Sequence, residues 1–314
     1  MKILNTFLFL QVVLWMTVQP LASKEDNNVI ELPKPFPAVL TQAYNDCVIN
    51  AVASAIEYLT FPRFQDTQNN PLYPLKISRS GLYTLARYYA FSNIENWKKG
   101  VHSPWQHDYG VSLGDALIAL DKVGCFPEKP VMLTGGYVVP GWDYSLRNTV
   151  ISPEMFLIAF DADFDGINEA VEPLLVKGSI LKEKDLCKIE NPYAKIAKHI
   201  FYEPIERPQS FNTSFYETLK NYLRQQKAIV IGINATQDFI RAKGKTLIQG
   251  TGSAQDFHAL LVLGYGPYLS YEECFFIQNS WGAGWGDQGR SYISKNYFEK
   301  HFYGGYAISI PHFF

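Results

Sequence analysis

Four cysteines in 314 residues are too few for a disulfide-stapled scaffold. None stands in a Cys-x-x-Cys pair, so a zinc site of that kind has no support. Charge is scarce as well. Charged residues make up 18% of the chain, below the usual quarter or so, and the net charge is -2. With no basic run in the sequence, there is no electrostatic case for a nucleic acid or an acidic membrane surface as partner. Internal repeats and low-complexity tracts are missing too, which sets aside repeat architectures and long disordered linkers. Long apolar runs are limited to one, Phe7 to Val18, interrupted by Gln11 and Thr17, preceded by Lys2 and followed by Pro20-Leu21-Ala22-Ser23. That is the three-part layout of a secretory signal peptide, and it is short for a membrane span, with an uncleaved anchor as the alternative. The expectation is a signal peptide over residues 1–23 and a mature domain over 24–314. The mature protein would be exported, to the exterior or the periplasm, and would have no membrane association after cleavage.

What is plentiful is packing material. Hydrophobic residues reach 47% and aromatics 15%, enough for a large core in one big domain or two modest ones. Pro33, Pro35 and Pro37 make an extended lead. From Cys47 the apolar residues Val48, Ala51, Val52, Ala55, Ile56 and Leu59 recur at helix spacing until Pro62. A second helix is predicted from about Ser80 to Phe91. A third begins at Ser112, with Asp115 completing a capping box, and stops at Gly124. A later helix is predicted with Ser214 and Glu217 at its start. Strands are predicted at Ala228–Ile233, Ala259–Leu263, Phe275–Gln278, Arg290–Ser294 and Tyr306–Ile310, with glycine-rich turns between them. Helices early and strands late describe an α+β protein of two lobes.

Chemistry concentrates in three places. Cys47 starts a helical pattern, where the partial positive charge of a helix N-terminus favours a thiolate, and a neighbouring imidazolium would lower the thiol pKa further. His258 opens an apolar strand after the loop 250–255. Asn279 ends another strand, where its side-chain oxygen can hold an imidazole in one tautomer. Trp281 and Trp285 can shield that hydrogen bond from water. Gln42, ahead of the cysteine, can supply an amide donor that forms an oxyanion hole together with the Cys47 backbone N–H. Taken singly, each has a bland reading: a small core cysteine, a structural histidine, a tight Trp-Gly turn. Their order along the chain favours a thiol hydrolase. Asp46, beside the cysteine, would oppose thiolate formation if ionised. With Cys47 kept reduced, Cys125 and Cys187 form a candidate bridge, three buried thiols are the alternative, and Cys274 reads as core.

The stretch Asn279-Ser280-Trp281-Gly282, continued by Trp285-Gly286-Asp287 and Gly289, resembles the Asn-Ser-Trp-Gly motif of the papain family of cysteine peptidases. Asp256 to Gly266 is similar to that family's histidine strand. Cys47 to Tyr58, Ser78-Arg79 to Tyr89 and Gly110 to Gly124 are similar to a bacterial-type branch whose helix begins Cys-x-x-Asn-Ala. The resemblance covers most of the chain outside about 128–205. It implies a two-lobed fold, with a helical N-terminal lobe, an antiparallel β-rich C-terminal lobe and the active-site cleft between them. It also implies Cys47 as nucleophile, His258 as general acid/base, Asn279 as its orienter and Gln42 as oxyanion donor, acting on a peptide or protein substrate without a catalytic cofactor. Gln42 stands five residues before Cys47 where the family usually has six, with Asn45 as the nearest substitute amide. Two rival readings are a catalytically silent relative that binds through its cleft and an acyl transferase of the transglutaminase type. The second generally uses Asp where Asn279 stands.

Cys47 and His258 lie farther apart than the roughly 130–150 residues of the plant-type enzymes, and the surplus falls at about 128–205. Within it Asp161, Asp163, Asp165, Ile167 (through its carbonyl), Glu169 and Glu172 fall at the ligand positions of an EF-hand-like loop, with Gly166 at the sixth position. Asn168 and Pro173 argue for a single structural Ca2+ site rather than a paired sensor.

Overall fold

The computed structural model describes residues 29–42, 45–60, 110–123 and 199–310, together with positions 76, 77, 79, 82, 83, 86 and 90 and two short strands at 131–132 and 138–139. The segment 1–23 expected to be a signal peptide, Cys125, Cys187 and the candidate calcium loop 161–172 lie outside the described residues.

The architecture is α+β. Its helical part opens with α1 (Cys47–Thr60), whose two faces both carry small or β-branched apolar side chains, so nearly the whole helix is buried. It ends just before Pro62, as the missing N–H of proline requires. Positions 79, 82, 83, 86 and 90 are helical where a second helix is predicted. Then comes α2 (Leu113–Val123), which starts as the capping box predicts: Asp115 N–H donates to Ser112 Oγ at 3.1 Å, and Ser112 N–H donates to Asp115 Oδ2 at 3.1 Å.

The strands are β1 (Ile30–Glu31), β2 (Val131–Met132), β3 (Val138–Val139), β4 (Phe201–Glu206), β5 (Ala228–Thr236), β6 (Leu247–Ile248), β7 (Ala254–Tyr268), β8 (Tyr271–Gln278), β9 (Arg290–Ser294) and β10 (Phe302–Ser309). Between them lie α3 (Thr213–Arg224), α4 (Gln237–Ile240) and α5 (Lys295–His301). All but β2 and β3 join one sheet in the order β4-β10-β5-β7-β8-β9-β6, with β1 paired to β7. Neighbours are antiparallel except β6 and β9. The central strand β5 is apolar along its length, and α1 packs on β5 and β7. That contact brings the Cys47 helix to the sheet.

Several sequence expectations shift. α3 is capped by Asn212, whose side chain accepts from Phe215 N–H at 3.0 Å. Ser214 therefore lies inside the first turn, and Glu217 pairs instead with Lys220 and Arg224 on the exposed face. The histidine strand β7 is far longer than predicted, because β5 pairs with its first part and β8 with its second, the β8 ladder continuing past Gly264 and Gly266 through register shifts at both. Strand β4 was not anticipated. It carries Pro204, tolerable because β4 is an edge strand, and it brings the last residues of the supposed insertion into the main sheet.

Inside the helical part, Arg79 and Glu57 form a buried ion pair, with Arg79 Nη2 at 2.8 Å from Glu57 Oε2. Glu57 Oε1 also accepts from Ile77 N–H at 2.8 Å, so one carboxylate ties α1 to the next segment. Cys274 is buried on β8, as its apolar run implies.

Candidate active site

Cys47 is the first residue of α1, and His258 and Asn279 sit on and just after the strands α1 packs against. All three are buried, at 8%, 3% and 3% exposure. The thiol of Cys47 lies against the backbone N–H of Ala259, the residue after His258.

His258 Nε2 lies 2.6 Å from Asn279 Oδ1. The same Oδ1 accepts the Ser280 backbone N–H at 2.7 Å. That second bond fixes the orientation of the amide, because its NH2 end could not accept from a backbone N–H. An acceptor-only oxygen facing Nε2 requires the proton on Nε2, which leaves the Nδ1 lone pair as the base. The tautomer therefore follows from a backbone contact of the Asn-Ser-Trp-Gly loop.

Aromatic side chains enclose this hydrogen bond. Trp281 lies 4.6 Å from the His258 ring, and Phe239 lies edge-on to it at 5.7 Å. Trp285 packs on Phe239 at 4.9 Å and donates its indole N–H to the Phe239 carbonyl at 2.7 Å. Trp285 is thus one layer removed from the imidazole, and Phe239 stands between them. Sequence reasoning missed Phe239. Its only signal is the short helix α4 after β5, which no periodicity marks out.

Gln42 is tied to the residue after Asn279. Its backbone N–H donates to the Ser280 carbonyl at 2.6 Å, and its Oε1 accepts the Ser280 hydroxyl at 2.7 Å. Gly282 N–H in turn donates to the Leu40 carbonyl, and Thr41 bridges Trp281. This close approach explains Gly282, with φ at +76° and no room for a Cβ beside the Thr41 hydroxyl. It also keeps Gln42 in the site despite the five-residue spacing, while Asn45 is exposed. The Ser280 hydroxyl is a second residue that sequence reasoning passed over, hidden within the motif itself.

Electrostatics correct one expectation. Burial pushes the Cys47 thiol up to about 11, and the Asp46 charge adds in the same direction, against the backbone N–H groups of Ala259, Val48 and Cys47 that pull it down. Burial also pulls the His258 imidazole down to about 4, opposed by its bond to Asn279 and by Asp256. Desolvation outweighs the helix terminus, and burial favours the neutral form of each group.

Beside the pair lies an exposed aromatic surface. Phe257, at 55% exposure, and Tyr303, at 50%, pack ring on ring at 4.9 Å. Strand alternation puts Phe257 on the same face of β7 as Ala259, which shares a cavity with Asn50, Ala51 and Ser54 of α1. Gly232 on β5 makes this possible, since a Cβ there would come within 2.7 Å of the Phe257 ring.

A family model described as "Papain family cysteine protease" matches residues 168–303, a segment that contains His258 and Asn279. Peptidase 1 of Psoroptes ovis is 32% identical over 81 residues, covering 24% of this chain and 25% of the relative. A viral cathepsin of Epiphyas postvittana nucleopolyhedrovirus is 27% identical over 136 residues, covering 41% and 40%. The chain thus spans a quarter to two fifths of the length of these curated relatives. Among solved structures, xylellain, a cysteine protease from Xylella fastidiosa, aligns with a TM-score of 0.52 at 21% identity, over 90% of this chain and 85% of that one. PepW from Lactobacillus rhamnosis aligns at 0.51 and 12% identity, over 91% and 82%. At these identities the structural likeness establishes the fold.

Proposed function

We propose that the chain is a papain-like cysteine peptidase that hydrolyses peptide bonds through a thioester acyl-enzyme. The observation that carries this reading is Asn279 Oδ1 held by Ser280 N–H and facing His258 Nε2 at 2.6 Å. It leaves His258 with a base at Nδ1. His258 takes the Cys47 thiol proton as the sulfur attacks the substrate carbonyl carbon. Gln42 Nε2 and the Cys47 backbone N–H receive the developing oxyanion. His258 then delivers the proton to the leaving amine as the C–N bond breaks. Water attacks the thioester with His258 as base, releasing the acid and restoring the thiol.

Phe257 and Tyr303 offer an apolar side chain of the substrate a surface next to the scissile bond. The proposed location is outside the cytoplasm, from the signal-type segment 1–23, and N-terminal sequencing of protein recovered from the host tests cleavage near residue 23. Among the described residues no helix is long and apolar enough to cross a membrane. The spacing from Asp161 to Glu172 supports a structural calcium loop, for which a chelator-induced fall in Tm, reversed by calcium and absent in Asp163→Asn, is the measurement.

One alternative has a specific observation behind it. The buried, raised thiol with Asp46 beside it suits a silent relative that binds through its cleft. Alkylation by iodoacetamide near neutral pH separates the two. The peptidase reading expects Cys47 to label faster than an ordinary exposed thiol, and His258→Ala to abolish the difference. Slow labelling in the wild type, with no cleavage of a casein substrate above Cys47→Ala, would sink it.

A further inference from the structure

Asn50 lies on α1 one turn beyond Cys47 and is 3% exposed. Its Nδ2 donates to the Asp46 carbonyl at 3.0 Å, which fixes the amide and turns Oδ1 away from the helix start. That oxygen is buried and has no hydrogen-bond partner among the described residues. Asn279 shows the converse. Its oxygen is taken by His258 and Ser280, and its Nδ2 is buried with no partner among the described residues. One group lacks a donor and the other an acceptor. Left so, each would carry the desolvation cost of an unpaired buried polar group, and buried amides in folded proteins are paired.

Both side chains line one small cavity of about 10 Å3, whose wall also includes Ser54. That volume suits a single water, and the lining offers the two to four polar partners such a water needs.

We infer that one buried water joins the two amides. Asn279 Nδ2 donates to its oxygen, one O–H donates to Asn50 Oδ1, and the Ser54 hydroxyl supplies a further partner. Asn50 is thereby a positioning residue. Through the water it holds the Asn279 amide from the far side, so that Oδ1 stays on His258. The helix that carries the nucleophile and the residue that orients the base then share one hydrogen-bonded frame. This rests on the peptidase reading for its effect on rate, whereas the water and the imidazole tautomer are testable without it.

The test combines three measurements. A high-resolution crystal structure is expected to show one water within hydrogen-bond distance of Asn50 Oδ1 and Asn279 Nδ2; a dry cavity, or a direct bond between the amides, overturns the inference. Asn50→Leu, which fills the cavity without an acceptor, is expected to lower kcat about tenfold with KM within about twofold. It should also broaden the downfield proton signal of His258 Nε2–H. Asn50→Ser, which keeps a hydroxyl in the cavity, is expected to recover most of both, and it carries the test if Asn50→Leu does not fold. Ile308→Val, remote on β10, controls for stability alone and should leave kcat and the proton signal unchanged. If Asn50→Leu matches the wild type in kcat and in the signal, Asn50 positions nothing. A wild-type enzyme without activity would count against the peptidase reading, and the crystallographic water and the proton signal would still decide this one.

Discussion

The Ser280 hydroxyl donates to Gln42 Oε1 at 2.7 Å, across 238 positions of sequence. An amide whose oxygen is held in this way presents its Nε2–H groups on the opposite side, so the residue after the orienting asparagine also aims the oxyanion donor. Gln42→Ala is expected to reduce kcat about 10²–10³-fold with little change in KM, the usual cost of one oxyanion-hole donor. Ser280→Ala acts through Gln42 and is expected to cost less, about tenfold. The double variant should be no worse than Gln42→Ala alone, because the two residues act as a unit. Steady-state kinetics of the three variants check this, and fully additive losses would show that the two residues act independently.

Stability should peak between pH 6.5 and 9. His258 titrates near 6.5 when unfolded and near 4 in the fold. Below pH 6.5 the unfolded chain therefore takes up a proton that the native state refuses. Stability falls as the pH drops from 6.5 to 4, by up to about 3 kcal/mol from this residue. Cys47 works in the other direction. Its thiol titrates near 9 unfolded and about 11 folded, so the unfolded chain loses its proton first and stability falls again from pH 9 to 11. Urea unfolding across this range should show the acid limb reduced in His258→Gln and the alkaline limb reduced in Cys47→Ser.

Phe239 stands between His258 and Trp285 and is fully buried. Phe239→Ala is expected to cost about 3–5 kcal/mol in urea unfolding, as large-to-small core changes do. It should also let water reach the bond between His258 and Asn279, lowering kcat well beyond the effect of a core change of equal cost far from the site, such as Phe298→Ala. Equal effects on kcat from the two variants would reduce Phe239 to a core residue.

Phe257 and Tyr303 are exposed yet packed on each other. Phe257→Ala should leave stability nearly unchanged and raise KM several-fold for peptides with a large apolar side chain near the cleaved bond. Peptides with a charged side chain there should be cleaved as before. A KM unchanged for both classes would remove this surface from the substrate path.

How much of this was legible beforehand differs along the chain. The helix at Cys47 was readable because its apolar residues recur at helix spacing and Pro62 stops it. The β9 strand was predicted with its observed bounds, Arg290–Ser294, because it alternates between turns. The ends of β7, and β4 as a whole, were not readable. Their extent is set by partners distant in sequence, β5 and β8 for one and β10 for the other. The cap of α3 was misassigned because three adjacent polar residues, Asn212, Thr213 and Ser214, all suit that role, and only the backbone path selects among them.

At the site, sequence alone determined which residue types were on hand and their order: a cysteine at a helix start, a histidine opening a strand, an asparagine closing one, and a glutamine ahead of them all. These are local facts, fixed by periodicity and by the glycine and tryptophan punctuation of the last motif. Tertiary structure alone decided which atoms meet. The tautomer of His258 depends on a backbone N–H of Ser280, the aim of Gln42 on the Ser280 hydroxyl, and the charge state of Cys47 on how deeply β7 and α1 bury it. Desolvation and hydrogen-bond direction depend on neighbours in space, and those neighbours lie from about twenty residues away in the chain, as Ser280 does from His258, to 238, as it does from Gln42.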